Sequence, residues 1–333
     1  FSDTVAGKEF IEFYQGALLA AEEMKERGMP LVLQVFDWLR QPADILLSGE
    51  NLGKSDLIIG PVYANDIGST ISYFRNSDIK IVSPLDGNAE IWVSSYPGLF
   101  QVQPTLKAQQ ESLLKYLDPH RASVWIISEE GEQHVAPELR SILDNNLIGY
   151  RHFSYDVLQG REVTEVLREL LGVNEKNQII IASQNEAFVS DAVRNLHLLH
   201  VYDSIPVELF GLSRWRNFET LDLNALHRLK VVLPLSVYAD YSAREVRDFV
   251  IKFRAIYDGE PSQYAFQGYD VMLYFLNGMF LYGPEFEYCL ENLQIPLLQN
   301  NFSFFRESPR SGFSNTGIRV IRYLPDFTVE LLP

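Results

Sequence analysis

The chain is short of several things that would otherwise mark a functional class. It has a single cysteine, Cys289, in 333 residues. That excludes an internal disulfide and any multi-cysteine metal cluster. It leaves the redox compartment open, because a reducing cytosol and a bacterial envelope without structural disulfides both fit. Basic residues are scarce: 28 Lys and Arg stand against 44 Asp and Glu, a formal net charge of -16. With no dense basic run, the electrostatics disfavour nucleic-acid phosphates and anionic membrane surfaces as partners. Long apolar runs are also missing. The longest, Val271 to Leu281, is too short to span a bilayer and is interrupted by Asn277 and Gly278. No glycine-rich phosphate loop of standard spacing occurs, and there is no short-period repeat or low-complexity segment.

What is present is a globular α/β pattern. The composition is 47% hydrophobic, enough for a large core and two lobes. Leu57-Ile58-Ile59 stops at Gly60-Pro61, and Ile79-Lys80-Ile81-Val82 stops at Ser83-Pro84. Short apolar, β-branched runs that end at turns, with a helical stretch between them, read as consecutive buried parallel strands. Phe10, Phe13, Tyr14, Ala17, Ala21 and Met24 recur at helical spacing and predict a helix ending near Gly28. Leu31 to Phe36 is expected to be a strand, Pro42 to Leu52 a short helix, and Asp66 to Arg75 a helix. After Pro104 the alternation restarts. Strands are predicted at Ser123–Ile127, Gln178–Ala182, Val207–Gly211 and Val231–Leu235. Helices are predicted at Lys107–Leu117, Glu138–Leu147, Val163–Leu171, Ala187–Leu199, Ala243–Tyr257 and Phe266–Leu281. The tail, Ile318–Tyr323 and Thr328–Leu332, reads as a β-hairpin around Pro325-Asp326.

Four stretches together resemble a known family. They are Phe13-Tyr14-Gln15-Gly16-Ala17 with Leu18 to Ala21, Asp56-Leu57-Ile58-Ile59-Gly60-Pro61, Ile81-Val82-Ser83-Pro84, and Gln267-Gly268-Tyr269-Asp270. In this order and spacing they are similar to the type I periplasmic binding proteins, whose fold is shared by branched-chain amino-acid-binding proteins and receptor ligand-binding regions. Within that family the chain looks most like an envelope subgroup of the Bacteroidetes type, often carried behind LysM modules. The resemblance implies an α/β fold of two doubly wound, Rossmann-like lobes joined by a three-crossover hinge. It implies an N-lobe of residues 1–103 and 240–285 and a C-lobe of residues 104–239 and 286–333. The family also has a strand before its first helix, whereas this sequence opens at Phe1 almost on the helix. Either that strand lies upstream or the N-lobe sheet is built differently; the expectation is a processed or trimmed chain, with the strand and any signal or anchor upstream.

In sheets of this kind ligands gather at the carboxyl ends of the strands. The candidate ligand-binding residues are therefore Tyr63, Asn65, Asp86 and Asn88 from the first half, with Trp92 beside them. From the second half come Glu129, Gln184, Ser213 and Arg214. Amino-acid-binding relatives place hydroxyls and backbone N–H groups in these loops to hold a ligand carboxylate. Here the loops are Pro61 to Asn65 and Ser83 to Asn88, with Leu85 and Gly87 where small and hydroxyl residues are expected, and Asp86 would repel a carboxylate. A sugar-like, peptide or cationic ligand suits the aromatics, amides and carboxylates that remain. Ordinary helix capping explains the same Asp, Asn and Ser residues.

Catalytic and metal signatures are weak. Gly211-Leu212-Ser213-Arg214-Trp215 lacks the second glycine of a nucleophile elbow. His197, His200 and Asp203 share a helix face that could touch a metal, but a helix C-terminus favours histidine on its own. Cys289 has no basic neighbour and is expected to be a small packed hydrophobe. Tyr269 and Asp270 are expected to pack and cap rather than touch ligand. The reading is a non-enzymatic solute-binding or sensing domain, periplasmic or envelope-associated, without metal or cofactor, taking a small molecule other than a classical free amino acid. Its ligand would be sugar-like, a peptide or a cell-wall fragment, with peptidoglycan reached through an upstream domain. The alternative is an interaction module that keeps the fold, has lost ligand binding and serves cell-wall synthesis or maintenance.

Overall fold

The computed structural model describes residues 5–37, 52–160 and 162–333. The chain divides into two compact units: residues 1–105 with 237–317, and residues 106–236 with 318–333. It passes between them three times, after Thr105, Ser236 and Gly317.

In the first unit, α1 (Val5–Glu26) precedes β1 (Leu57–Ile59), α2 (Ala64–Tyr73), β2 (Lys80–Ser83) and β3 (Leu99–Gln101). The strands β1, β2 and β3 pair in parallel, as the apolar runs predict. Beyond β3 the sheet continues with β10 (Phe313–Asn315), parallel to β3, and β9 (Phe304–Phe305), antiparallel to β10. This corrects the expected boundary, which gave residues 286–317 to the C-lobe. The cause is aromatic. Phe100 of β3 stacks on Phe313 at 4.6 Å and meets Phe275, Phe304 and Phe286 within 5.7 Å. Those rings bury the segment against β2 and β3 rather than elsewhere.

Leu31–Phe36 is not a strand. Residues 30–37 are irregular, with Val32 85% and Val35 61% exposed. A strand exists only where a neighbour supplies its hydrogen bonds, and among the described residues β1 stands at the sheet edge with no strand beyond it. The predicted helix at Pro42 to Leu52 lies outside the described residues, apart from Leu52.

Two helices frame this unit, α8 (Arg244–Tyr257) and α9 (Gln263–Tyr282). α9 lies directly against α1. A methyl group on Gly268 would stand 1.9 Å from the Phe13 carbonyl oxygen, and one on Gly16 1.9 Å from that of Ala265. The two backbones therefore approach closely because each presents hydrogen where other residues present Cβ. Tyr269 donates to Glu23 at 2.6 Å and Glu12 accepts the Ser262 N–H at 2.9 Å, which fixes the register of the pair. Burial, then the Glu23 carboxylate, pushes the Tyr269 hydroxyl up, so it stays a donor.

The second unit is a seven-stranded sheet. Its strands are β4 (Ala122–Glu129), β5 (Arg151–Tyr155), β6 (Lys176–Ile181), β7 (Val207–Phe210), β8 (Val232–Leu235), β11 (Arg319–Tyr323) and β12 (Val329–Leu332). They lie in the order β12-β11-β8-β7-β6-β4-β5, the last five parallel. β11 and β12 form the expected hairpin and pair antiparallel with the sheet through β8. Its helices are α3 (Leu106–Ser112), α4 (Val135–Asn145), α5 (Glu162–Leu170), α6 (Glu186–Tyr202) and α7 (Leu223–Arg228). The sequence reading missed β5, since Arg-His-Phe-Ser-Tyr has no apolar run; only Tyr155 is buried, with its hydroxyl on Asp191 at 3.0 Å. No helix among the described residues is long and apolar enough to cross a membrane.

The α1–α9 contact yields a test. Gly268→Ala should destabilise the protein by about 1–3 kcal/mol or more, because a backbone carbonyl must move to admit the methyl. Gly53→Ala, with nothing within 4 Å of its added carbon, should change stability by less than about 0.5 kcal/mol. Urea unfolding midpoints compare the two, and equal effects would show that the close approach is not a constraint.

Candidate ligand-binding pocket

A cavity of about 570 Å³ opens in the first unit. Its walls come from α1 (Glu9, Phe10), the start of α2 (Val62, Tyr63), the β2 loop (Leu85, Asp86, Asn88), Gln103, Val237, α9 (Gln263, Tyr264, Gln267) and Gln299. The loops after β1 and β2 supply it because parallel strands end together on one side of the sheet.

Asp86 organises the loop side. One carboxylate oxygen accepts the Ala64 N–H in the first turn of α2 at 2.8 Å. The other accepts the N–H and side-chain amide of Asn88, both at 2.9 Å. A helix N-terminus attracts an anion through free N–H groups and the helix dipole. Here the anion is a side chain of the protein itself. Gln101, fully buried, holds the loop from below by donating to the Asp86 carbonyl at 3.0 Å.

Asp270 organises the other side. It is fully buried and accepts the N–H groups of Leu298, Gln299 and Asn300 and the Asn300 amide at 2.8–2.9 Å. Burial pushes its carboxyl up, and those N–H donors oppose the shift. The turn it pins carries Gln299 into the pocket wall. Gln299 donates to Gln267 at 3.0 Å, and Gln267 in turn donates to the Pro84 carbonyl at 3.2 Å. A chain of amides thus joins α9, the 298–300 turn and the β2 loop. Phe10 and Tyr63 meet edge to face at 6.1 Å. Burial and the Glu9 carboxylate push the Tyr264 hydroxyl up.

Of the residues singled out from sequence, the pocket brings together Tyr63, Asp86 and Asn88. Asn65 does not line it; the residue is exposed on α2, and its carbonyl accepts from Ser69. Trp92 belongs to the core, its ring over Gly68 and its indole N–H on the Ala64 carbonyl at 2.8 Å. Glu129, Gln184, Ser213 and Arg214 belong to the second unit and do not line this cavity. There Glu129 accepts from Asn185 at 3.1 Å, and Ser213 donates to Gln109 at 2.6 Å. Gln184 is half-buried and Arg214 exposed. A side chain at Gly211 would strike the buried Trp215 ring, which explains the glycine without any nucleophile. His200 bonds the Ile205 carbonyl and Asp203 pairs with Arg168. No group of metal-holding residues occurs among the described residues.

The sequence reading missed Glu9, Phe10, Gln103, Gln263, Tyr264, Gln267 and Gln299. Only Gln267 carried a signal, through the Gln267–Asp270 motif.

The fold has close counterparts among solved structures. A putative branched-chain amino acid ABC transporter protein from Rhodospirillum rubrum superposes with a TM-score of 0.71 at 15% identity, over 98% of this chain and 96% of that one. A branched-chain amino acid ABC transporter periplasmic ligand-binding protein from Burkholderia xenovorans gives 0.62 at 11% identity, over 99% and 92%. An ABC transporter substrate-binding protein from Desulfitobacterium hafniense, in complex with Leu, gives 0.57 at 15% identity, over 96% and 95%. The chain has the type I periplasmic binding protein fold, as the sequence resemblance implied. No protein-family model matches the sequence, and no curated protein is significantly similar to it.

Asp270→Ala should lower the unfolding free energy by about 3 kcal/mol or more, because it orphans three buried backbone N–H groups. Asp270→Asn, which keeps an acceptor, should lose less. A loss under about 1 kcal/mol for the alanine variant in urea unfolding would show that the carboxylate does not hold the 298–300 turn.

Proposed function

We propose that this chain is a non-catalytic solute-binding or sensing domain of the bacterial envelope. Its pocket in the first unit takes a small molecule that is not a classical free amino acid. The observation that carries this reading is the Asp86 carboxylate on the Ala64 and Asn88 N–H groups. A ligand carboxylate would need those same donors and would meet a negative charge in their place.

Three further points support it. The pocket is open, with Tyr63 on its wall 51% exposed and Trp92 packed away from it, which favours binding over the interaction-module alternative. The lining residues include no serine, cysteine, histidine or lysine, so they offer no serine or cysteine nucleophile paired with a histidine or lysine base. The structures with a similar fold include an ABC transporter substrate-binding protein in complex with Leu and a putative branched-chain amino acid ABC transporter. The same likeness supports a periplasmic location and a role in delivering or sensing solute.

Thermal denaturation in the presence of amino acids, sugars, amines, short peptides and muropeptides tests the reading. A solute outside the free amino acids should raise the midpoint, with stabilisation approaching about 2.7 kcal/mol at a hundredfold excess over Kd. Tight binding of leucine would overturn the ligand class. No shift with any solute would overturn the binding function.

A further inference from the structure

We infer that the ligand of this pocket is an organic ammonium cation carried on an apolar or aromatic body. This rests on the solute-binding reading above and specifies its ligand.

The wall chemistry is one-sided. Two carboxylates, Glu9 and Asp86, line the cavity, and no lysine, arginine or histidine does. Neither carboxylate has an ion-pair partner among the described residues. Asp86 is partly offset by the N–H groups it accepts. Glu9 faces the neighbouring Tyr264 hydroxyl, a neutral donor that leaves its charge uncompensated.

A second, independent feature is Gln299. The residue is 3% exposed, and its side-chain N–H groups are spent on the Gln263 carbonyl and Gln267. No donor among the described residues reaches its Oε1. For a side chain so buried that lines the cavity, its remaining access runs through the cavity. The pocket therefore presents acceptors in want of donors, on a negative background.

A neutral polyol would satisfy the acceptors but leave the charge uncompensated. An ammonium group satisfies both, and charge-assisted hydrogen bonds are the stronger kind. The rest of the wall is apolar or aromatic: Phe10, Val62, Tyr63, Leu85, Val237 and Tyr264. These bury a hydrocarbon body, and the faces of Tyr63 and Phe10 attract cations in their own right.

Two charge series of matched shape test this by isothermal titration calorimetry: phenethylamine, phenethyl alcohol and phenylacetate, then butylamine, butanol and butyrate. In each series the amine should bind about tenfold tighter than the alcohol or better, and the acid should not bind. Added salt should narrow the gap between amine and alcohol. Glu9→Gln and Asp86→Asn should each shrink it, weakening the amine more than the alcohol. Since Asp86 also caps α2, Glu9→Gln decides the matter if Asp86→Asn lowers thermal stability. Equal binding of amine and alcohol, preference for an acid, or no binding by either amine at millimolar concentration overturns the cationic ligand. If D-glucose or a muropeptide binds in those cases, the solute-binding function stands. If nothing binds, both fall.

Discussion

The close approach of α1 and α9 is the constraint on which the first unit depends. Gly16 and Gly268 face each other's backbone carbonyls, with no room for a methyl on either side. That contact brings Glu9 and Phe10 beside Gln263, Tyr264 and Gln267, five of the residues that line the pocket. It also sets the height at which Asp270 meets the 298–300 turn. One backbone-to-backbone contact therefore governs both the core and the site. The dispersion gained along it is spread over Leu19, Ala20, Met24, Phe266 and Leu273, all buried.

Acidic side chains take several of the backbone donors near strand and helix ends. Asp86 accepts at α2 and Asp270 at the 298–300 turn. In the second unit Glu132 accepts three N–H groups at the start of α4, and Glu186 accepts those of Glu219 and Thr220. The Thr220 donors hold the Glu186 carboxyl below its ordinary range. Negative charge bound in this way is structural and local. It also lets a chain of net charge -16 keep carboxylates at loop ends without neighbouring cations. At the pocket, the N–H groups of Ala64 and Asn88 already have their acceptor in Asp86.

The fold was largely legible because each buried parallel strand is a short apolar run closed by a turn, as at Leu57–Ile59 and Lys80–Ser83. Two failures show where that signal ends. Leu31–Phe36 has the pattern of a strand but no partner among the described residues, and hydrogen bonding is a property of pairs. Arg151–Tyr155 lacks the pattern yet pairs with β4 over its full length, because edge strands need only one buried residue. The pocket was legible only in part. Tyr63, Asp86 and Asn88 sit at strand ends and are found by that rule. Glu9 and Gln263 sit on helix faces, and Gln299 on an irregular turn, where no local pattern distinguishes a wall residue from a solvated one.

By itself the sequence determined the alternation of strand and helix, the acidic balance, and the two glycines that allow α1 and α9 to meet, since these follow from side-chain size, polarity and spacing along the chain. The tertiary structure alone decided that residues 286–317 join the first unit, through rings drawn to Phe100 from four separate stretches. It alone decided that Asp86, expected to repel a ligand carboxylate, itself accepts the N–H groups of Ala64 and Asn88. Both outcomes turn on contacts between residues far apart in the chain, and local periodicity carries no information about which distant groups will share a cavity.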